Sequence, residues 1–323
     1  MRALFRPRTL LLTLSVAPNR REWVRAGLVL LLLGATIGSA NSWGEEAAAT
    51  GYANPTLLVS AQELANSLEE RDLRILDARP PERYAAGHIP GAVNLPIAEI
   101  TRTRNGVPGM LAPTAAVEQA LGQRGVTREA PVVIYDDFGG IEATRLFWAL
   151  EYLGHPRLSL LQGGIALWQR DGRATSQTVP TPKPARYQGE PRPDRLADRV
   201  WVQHRLQDPA VVLVDARSPE EFTGEIPGRD VRRPGHIPGA VNVDWVLNLT
   251  ASEPRQFKAG TDLVPLYRQA GVTPDNEVAV YCRTGVRASH DYFVLRLLGY
   301  PRVRLYDGSY VEWAADATLP VER

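Results

Sequence analysis

The chain has 323 residues, enough for two domains or three small ones. Its 44% hydrophobic and 23% charged residues are those of a globular protein and exclude both a disordered chain and a polytopic membrane protein. A formal net charge of +1 removes the broad basic field that nucleic-acid binding relies on, and the single cysteine, Cys282, excludes an internal disulfide, a CxxC redox pair and a cysteine-rich metal site.

In chain order, residues 1–25 carry six Arg and one acid, Glu22, and lead into the apolar run Ala26 to Gly38, then Ser39-Ala40. A comfortable membrane span needs about 20 apolar residues, so this shorter run predicts a signal-peptide core, with residues 1–40 removed near Ala40 or retained as an anchor. Asn19-Arg-Arg-Glu-Trp-Val-Arg25 resembles a twin-arginine export pattern, with Trp23 and Val24 where Phe and Leu are more usual; a general secretory signal is the other reading. The expectation is an exported, periplasmic protein that meets the membrane only if the segment is uncleaved.

The remainder repeats itself. Leu76-Asp-Ala-Arg79 followed by Gly87-His-Ile-Pro-Gly-Ala-Val-Asn94 returns as Val214-Asp-Ala-Arg217 followed by Gly235-His-Ile-Pro-Gly-Ala-Val-Asn242. An insertion around Gly224 to Arg233 separates the second pair of landmarks. Short apolar runs at Arg74 to Leu76, Val132 to Tyr135, Val211 to Val214, Val278 to Tyr281 and Val303 to Tyr306 predict buried parallel strands. Phe293, Val294, Leu297 and Leu298 predict one apolar stripe on an intervening helix. Alternating strands and helices predict an α/β fold, a parallel sheet covered by helices on both faces in each half. The expected organisation is a first domain over 52–175, a stiff Pro-rich linker over 176–195 and a second domain over 196–323.

Ligands of open parallel sheets bind beyond the carboxyl ends of the strands. Cys282 stands there, ending an apolar run and opening Cys282-Arg-Thr-Gly-Val-Arg287, a loop that enters a helix. Backbone N–H groups of such a turn and the positive end of the helix favour an anion at the sulfur, and Arg283 and Arg287 add full charges. The first half has Asp136 at the same place, in Asp136-Asp-Phe-Gly-Gly-Ile-Glu142, and so cannot use a thiolate; its carboxylates are expected to repel an anionic substrate. His88 and His236 recur in both halves and are read as turn residues. His290, eight residues after Cys282, is a weak candidate for a solvent-side role, and His155 and His204 carry no signal.

These motifs, with Tyr306-Asp-Gly-Ser-Tyr-Val-Glu-Trp313, resemble the tandem rhodanese family of thiosulfate and 3-mercaptopyruvate sulfurtransferases from about Leu57 to Trp313. The resemblance implies two rhodanese-like domains, the first inactive. It also implies a Cys282 persulfide cradled by the N–H groups of Arg283, Thr284, Gly285, Val286 and Arg287, and no metal or cofactor. The donor would be a small anion, thiosulfate or 3-mercaptopyruvate, and the acceptor cyanide or a thiol. A basic residue after the Cys favours thiosulfate, although Thr284 stands where a second basic residue is common and Glu221 where a substrate-binding Arg is common. Arg229 matches a carboxylate-contacting Arg of mercaptopyruvate enzymes, which keeps that donor open. Asp215 and Arg217 match a family element in which a structural ion pair is the favoured role. Two other classes compete. One is a phosphatase, whose Cys-x5-Arg loop is one residue longer than the loop here; the other is a non-catalytic exported sulfur carrier.

Overall fold

A computed structural model describes residues 50–323; the expected leader, 1–40, lies outside the described residues. Among the described residues no helix is long and apolar enough to cross a membrane.

The apolar runs become strands as expected. In the first half these are β1 (Leu58–Val59), β2 (Arg74–Asp77), β3 (Val93–Asn94), a hairpin of β4 (Thr101–Arg104) and β5 (Val107–Leu111), β6 (Val132–Tyr135) and β7 (Leu158–Leu161). The second half holds β8 (Leu196–Ala197), β9 (Val211–Asp215), β10 (Val241–Asn242), β11 (Glu277–Tyr281) and β12 (Val303–Tyr306). The first parallel sheet has the order β1-β7-β6-β2-β3 and the second β8-β12-β11-β9-β10, so the two halves share one topology with β6 and β11 at their centres. Registers match too: Asp77 pairs with Tyr135 as Asp215 pairs with Tyr281.

Side chains of a strand alternate between its faces, and here both faces are apolar. Leu76, Val132, Ile134, Val214, Val278 and Val280 belong to one continuous core shared by the two halves. Their neighbours Ile75, Val133 and Tyr135 face a separate outer core with Leu64, Ile165 and Trp168, and Leu213, Ala279 and Tyr281 do the same with Val202, Tyr310 and Trp313. The shared core is closed by the Ile141–Tyr152 and Val286–Leu297 helices, which meet across the interface through an edge-to-face contact of Phe147 and Phe293 with ring centroids 5.0 Å apart. This corrects the predicted single stripe on the second helix: every residue from Ala288 to Leu295 is buried, because the helix is covered by its own sheet on one side and by the other half on the other.

The Pro-rich segment runs extended but is strapped to the first half. Ala185 N–H donates to Gly122 O (2.9 Å), Glu190 N–H to Leu153 O (2.8 Å), and the buried Tyr187 ring stacks on His155. Gly154, at φ +74°, lets the strap lie this close, since a Cβ there would sit 2.5 Å from Glu190 O. The β4–β5 hairpin of the first half reaches the second, where Val107 and Met110 pack with Val311 and Val231.

Candidate active site

Tyr281 ends β11 in the sheet centre, so Cys282 is delivered to the carboxyl edge with only 1% of its surface exposed. The next turn closes sharply: Gly285, at φ +86°, caps the Val286–Leu297 helix and donates its N–H to Cys282 Sγ at 3.1 Å. A side chain at that φ is strained, and a Cβ would meet Arg145 Nη1 at 3.1 Å and Asp307 O at 3.2 Å. The loop is also held from the Ser309–Ala315 helix. Tyr310 and Val311 donate N–H bonds to Cys282 O (2.9 Å) and Arg283 O (3.1 Å), and Ser309 Oγ accepts the Cys282 N–H (3.3 Å). Ser309 does so from φ +53°, a conformation costly for a residue with a Cβ.

Both loop arginines are already engaged. Arg287 grips Glu221 through both terminal nitrogens, Nη2 to Oε1 being 2.9 Å. Burial lowers the proton affinity of the Arg287 guanidinium, but the Glu221 hydrogen bonds and the charges of Cys282 and Glu221 raise it further, for a net rise. Burial pushes the Glu221 carboxyl up, and Arg287, helped by the charge of Arg217 and a Ser218 hydrogen bond, outweighs this and leaves it below its ordinary value. Arg283 turns toward the insertion, where Nη1 meets Arg229 O at 3.4 Å and the Asp230 carboxylate at 3.9 Å. Arg229 thus contributes its backbone carbonyl at this point while its side chain is exposed. Thr284 and Val286 complete the turn, and Thr284 O lies 3.5 Å from where a Cβ on Gly109, in the hairpin of the first half, would stand.

Asp215 and Arg217 form a fully buried ion pair, Nε to Oδ1 2.9 Å, with Arg217 Nη2 also donating to Gly235 O. Asp77, Arg79 and Gly87 repeat the arrangement in the half without a thiol, which makes it a device of the fold. The paired histidines follow suit: His88 stacks on Tyr84 and His236 on Phe222, each with Nδ1 in hydrogen-bond contact with the carbonyl of that same residue in the preceding helix, Pro81–Ala86 or Pro219–Thr223.

One expectation is corrected. His290 has no solvent-side role: it is completely buried, burial pushes its imidazole down to about 4, and Nε2 donates to Gly139 O in the loop of the first half at 3.0 Å. The loop of the first half, expected to repel anions, is also tied into itself. Asp136 folds its carboxylate into its own turn and accepts N–H bonds from Phe138, Gly140, Glu142 and Ala143 at 2.8 to 3.1 Å. Burial nevertheless pushes the Asp136 carboxyl up, those four bonds acting against it. Sequence reading also missed Arg145, Asp307 and Ser309 as neighbours of the loop. Tyr306-Asp-Gly-Ser was a visible signal for two of them, and only the repeat alignment of Arg145 with His290 pointed to the third.

A family model described as "Rhodanese-like domain" matches residues 60–171 and again 198–316. A "Thiosulfate sulfurtransferase" of Pseudomonas aeruginosa is 35% identical over 279 residues, covering 84% of this chain and 98% of its own. "Sulfur carrier protein TtuD" of Thermus thermophilus is 34% identical over 289 residues, covering 84% and 99%. Among solved structures, SseA of Escherichia coli, described with the rhodanese fold and the catalytic mechanism of 3-mercaptopyruvate sulfotransferases, matches with a TM-score of 0.71 at 29% identity, over 78% of this chain and 98% of its own.

Proposed function

Because the chain belongs to the rhodanese-like family, with two such domains in tandem, we propose that it is a sulfurtransferase that takes the outer sulfur of thiosulfate onto Cys282 and passes it to cyanide or a thiol. The observation that carries this is Cys282 at the end of the central strand with the Gly285 N–H on its sulfur, in a loop bearing Arg283 and Arg287. The Cys282 thiolate attacks the outer sulfur of thiosulfate; the S–S bond of the donor breaks and sulfite leaves with the electron pair. The resulting persulfide is attacked at its terminal sulfur by the acceptor, which departs as thiocyanate or as a new persulfide, and the thiolate is restored. Gly285 N–H offers a donor to the sulfur anion throughout, and Arg283 and Arg287 oppose the charge that moves onto sulfite.

Turnover of thiosulfate with cyanide, beside 3-mercaptopyruvate and beside Cys282→Ser, tests this. A higher kcat/KM for thiosulfate and complete loss of thiocyanate formation in the serine protein are expected; turnover without the thiol would overturn the mechanism. The similarity to the Thermus sulfur carrier favours a second reading, for which one extra sulfur on Cys282 by mass spectrometry, without turnover, is the signature. The basic and apolar pattern of residues 1–40 supports export to the periplasm; a mature mass that includes those residues, in a cytoplasmic fraction, counts against it.

A further inference from the structure

The half that lacks the nucleophile sends one charged side chain to the loop that has it. Arg145, on the Ile141–Tyr152 helix, is completely buried. Its Nη2 donates to Asp307 Oδ1 at 2.6 Å and to Gly109 O at 2.9 Å, and its guanidinium lies over the Trp148 ring, 4.6 Å from the centroid. Asp307 is fastened in turn by the Leu111 N–H at 2.8 Å. Nε and Nη1 of Arg145 make no hydrogen bond with any described residue. A buried guanidinium with one counter-ion and unused donors is a poor way to fill a core, and an apolar side chain of that volume packs more cheaply.

What Nη1 faces is the Cys282 loop at Gly285, the residue whose N–H reaches the sulfur. We propose that Arg145 is a positioning residue for the sulfur site, its ion pair with Asp307 forming the wall that holds Gly285 and its charge lying behind the loop. The other arginines of the site, Arg283 and Arg287, are paired with Asp230 and Glu221 as Arg145 is with Asp307, and Arg145 is the one whose unused Nη1 lies against Gly285. The repeat supplies the comparison. Arg145 lies five residues after the helix cap Gly140, and the residue five after the cap Gly285 is His290, which bonds Gly139 O in the opposite loop. Each half therefore places the same helix position against the loop of the other: a neutral imidazole meets the loop holding Asp136, and a guanidinium meets the loop holding Cys282.

The inference rests on Cys282 as nucleophile, whichever donor it takes. The full-length protein is compared with Arg145→Met, Arg145→Lys and Thr144→Val, the last removing the neighbouring Thr144–Ser289 contact of the same interface while leaving the loop alone. Alkylation of Cys282 by iodoacetamide at fixed neutral pH reads the nucleophile without any donor, and the sole cysteine makes the signal unambiguous. Arg145→Met is expected to slow alkylation and lower kcat by about tenfold or more with KM for the donor nearly unchanged. Arg145→Lys recovers part of both, and Thr144→Val matches wild type. A folded Arg145→Met protein with wild-type alkylation and kcat overturns the proposal. If that variant does not fold, the lysine variant decides: wild-type behaviour without the guanidinium fork overturns it equally. Normal alkylation in every variant, in a protein that turns over no donor, overturns this proposal; a drop confined to the Arg145 variants in such a protein supports it while the sulfurtransferase reading fails.

Discussion

Asp136 and Cys282 occupy equivalent positions, each one residue beyond the central strand of its sheet, and each turns its side-chain acceptor into the loop that follows. Four backbone N–H groups converge on the carboxylate of Asp136, and one on the sulfur of Cys282. The first half has thus filled the donor-rich turn from within with a carboxylate, whereas the second half sets there a buried sulfur with the Gly285 N–H on it.

Removing that internal ligand strands its donors. Asp136→Ala is expected to destabilise the protein by about 2–4 kcal/mol, since several buried N–H groups lose their acceptor. Urea unfolding measures the loss, and kcat of the fraction that remains folded should be close to wild type. An unchanged midpoint would mean that the four bonds contribute nothing net.

Ser309 separates two opposing effects at one position. Ser309→Ala retains the left-handed backbone cost and deletes the acceptor for the Cys282 N–H, so a loss of about 1–2 kcal/mol is expected. Ser309→Gly deletes the same acceptor and relieves the backbone, and should be the more stable of the two by thermal melting. The reverse order would show that the +53° conformation carries no cost here.

Glu221 restrains one of the two cations of the Cys282 loop. Glu221→Gln leaves the Arg287 guanidinium without its carboxylate partner and is expected to lower KM for thiosulfate about three- to tenfold, with a steeper dependence on ionic strength. Steady-state kinetics at two salt concentrations check this. A KM that does not move at either concentration would remove Arg287 from donor binding.

Glu142 governs a pH dependence of stability. Burial, with the charges of Asp136 and Asp137, pushes its carboxyl up to about 7 from an ordinary 4.5. The folded protein therefore holds more protons than the unfolded chain between those values, so this group's contribution is fully present below about 4.5 and is lost as pH rises through about 7. The urea midpoint of wild type relative to Glu142→Gln should fall across that window, and parallel curves would show that Glu142 ionises normally.

Most of the strand framework was legible because a buried parallel strand announces itself locally, as Val132 to Tyr135 and Val278 to Tyr281 do with four apolar residues each. The same local reading failed on Ala288 to Leu295. There the amphipathic stripe is only part of the buried surface, because a second domain covers the face that periodicity assigns to water. His290 was misplaced for the same reason.

Alone, the sequence determined the doubled α/β plan, the single cysteine and the unequal loops, one opened by Asp136 and one by Cys282. All of these are carried by residues close together in the chain or repeated along it. Only the tertiary structure decided that Arg287 is held by Glu221, that Asp136 satisfies its own turn, and that Arg145 and Asp307, 162 positions apart, meet behind Gly285. Such charges are brought together by the packing of two sheets through their shared helices, and burial then makes each pairing matter more than its partners' places in the chain could indicate.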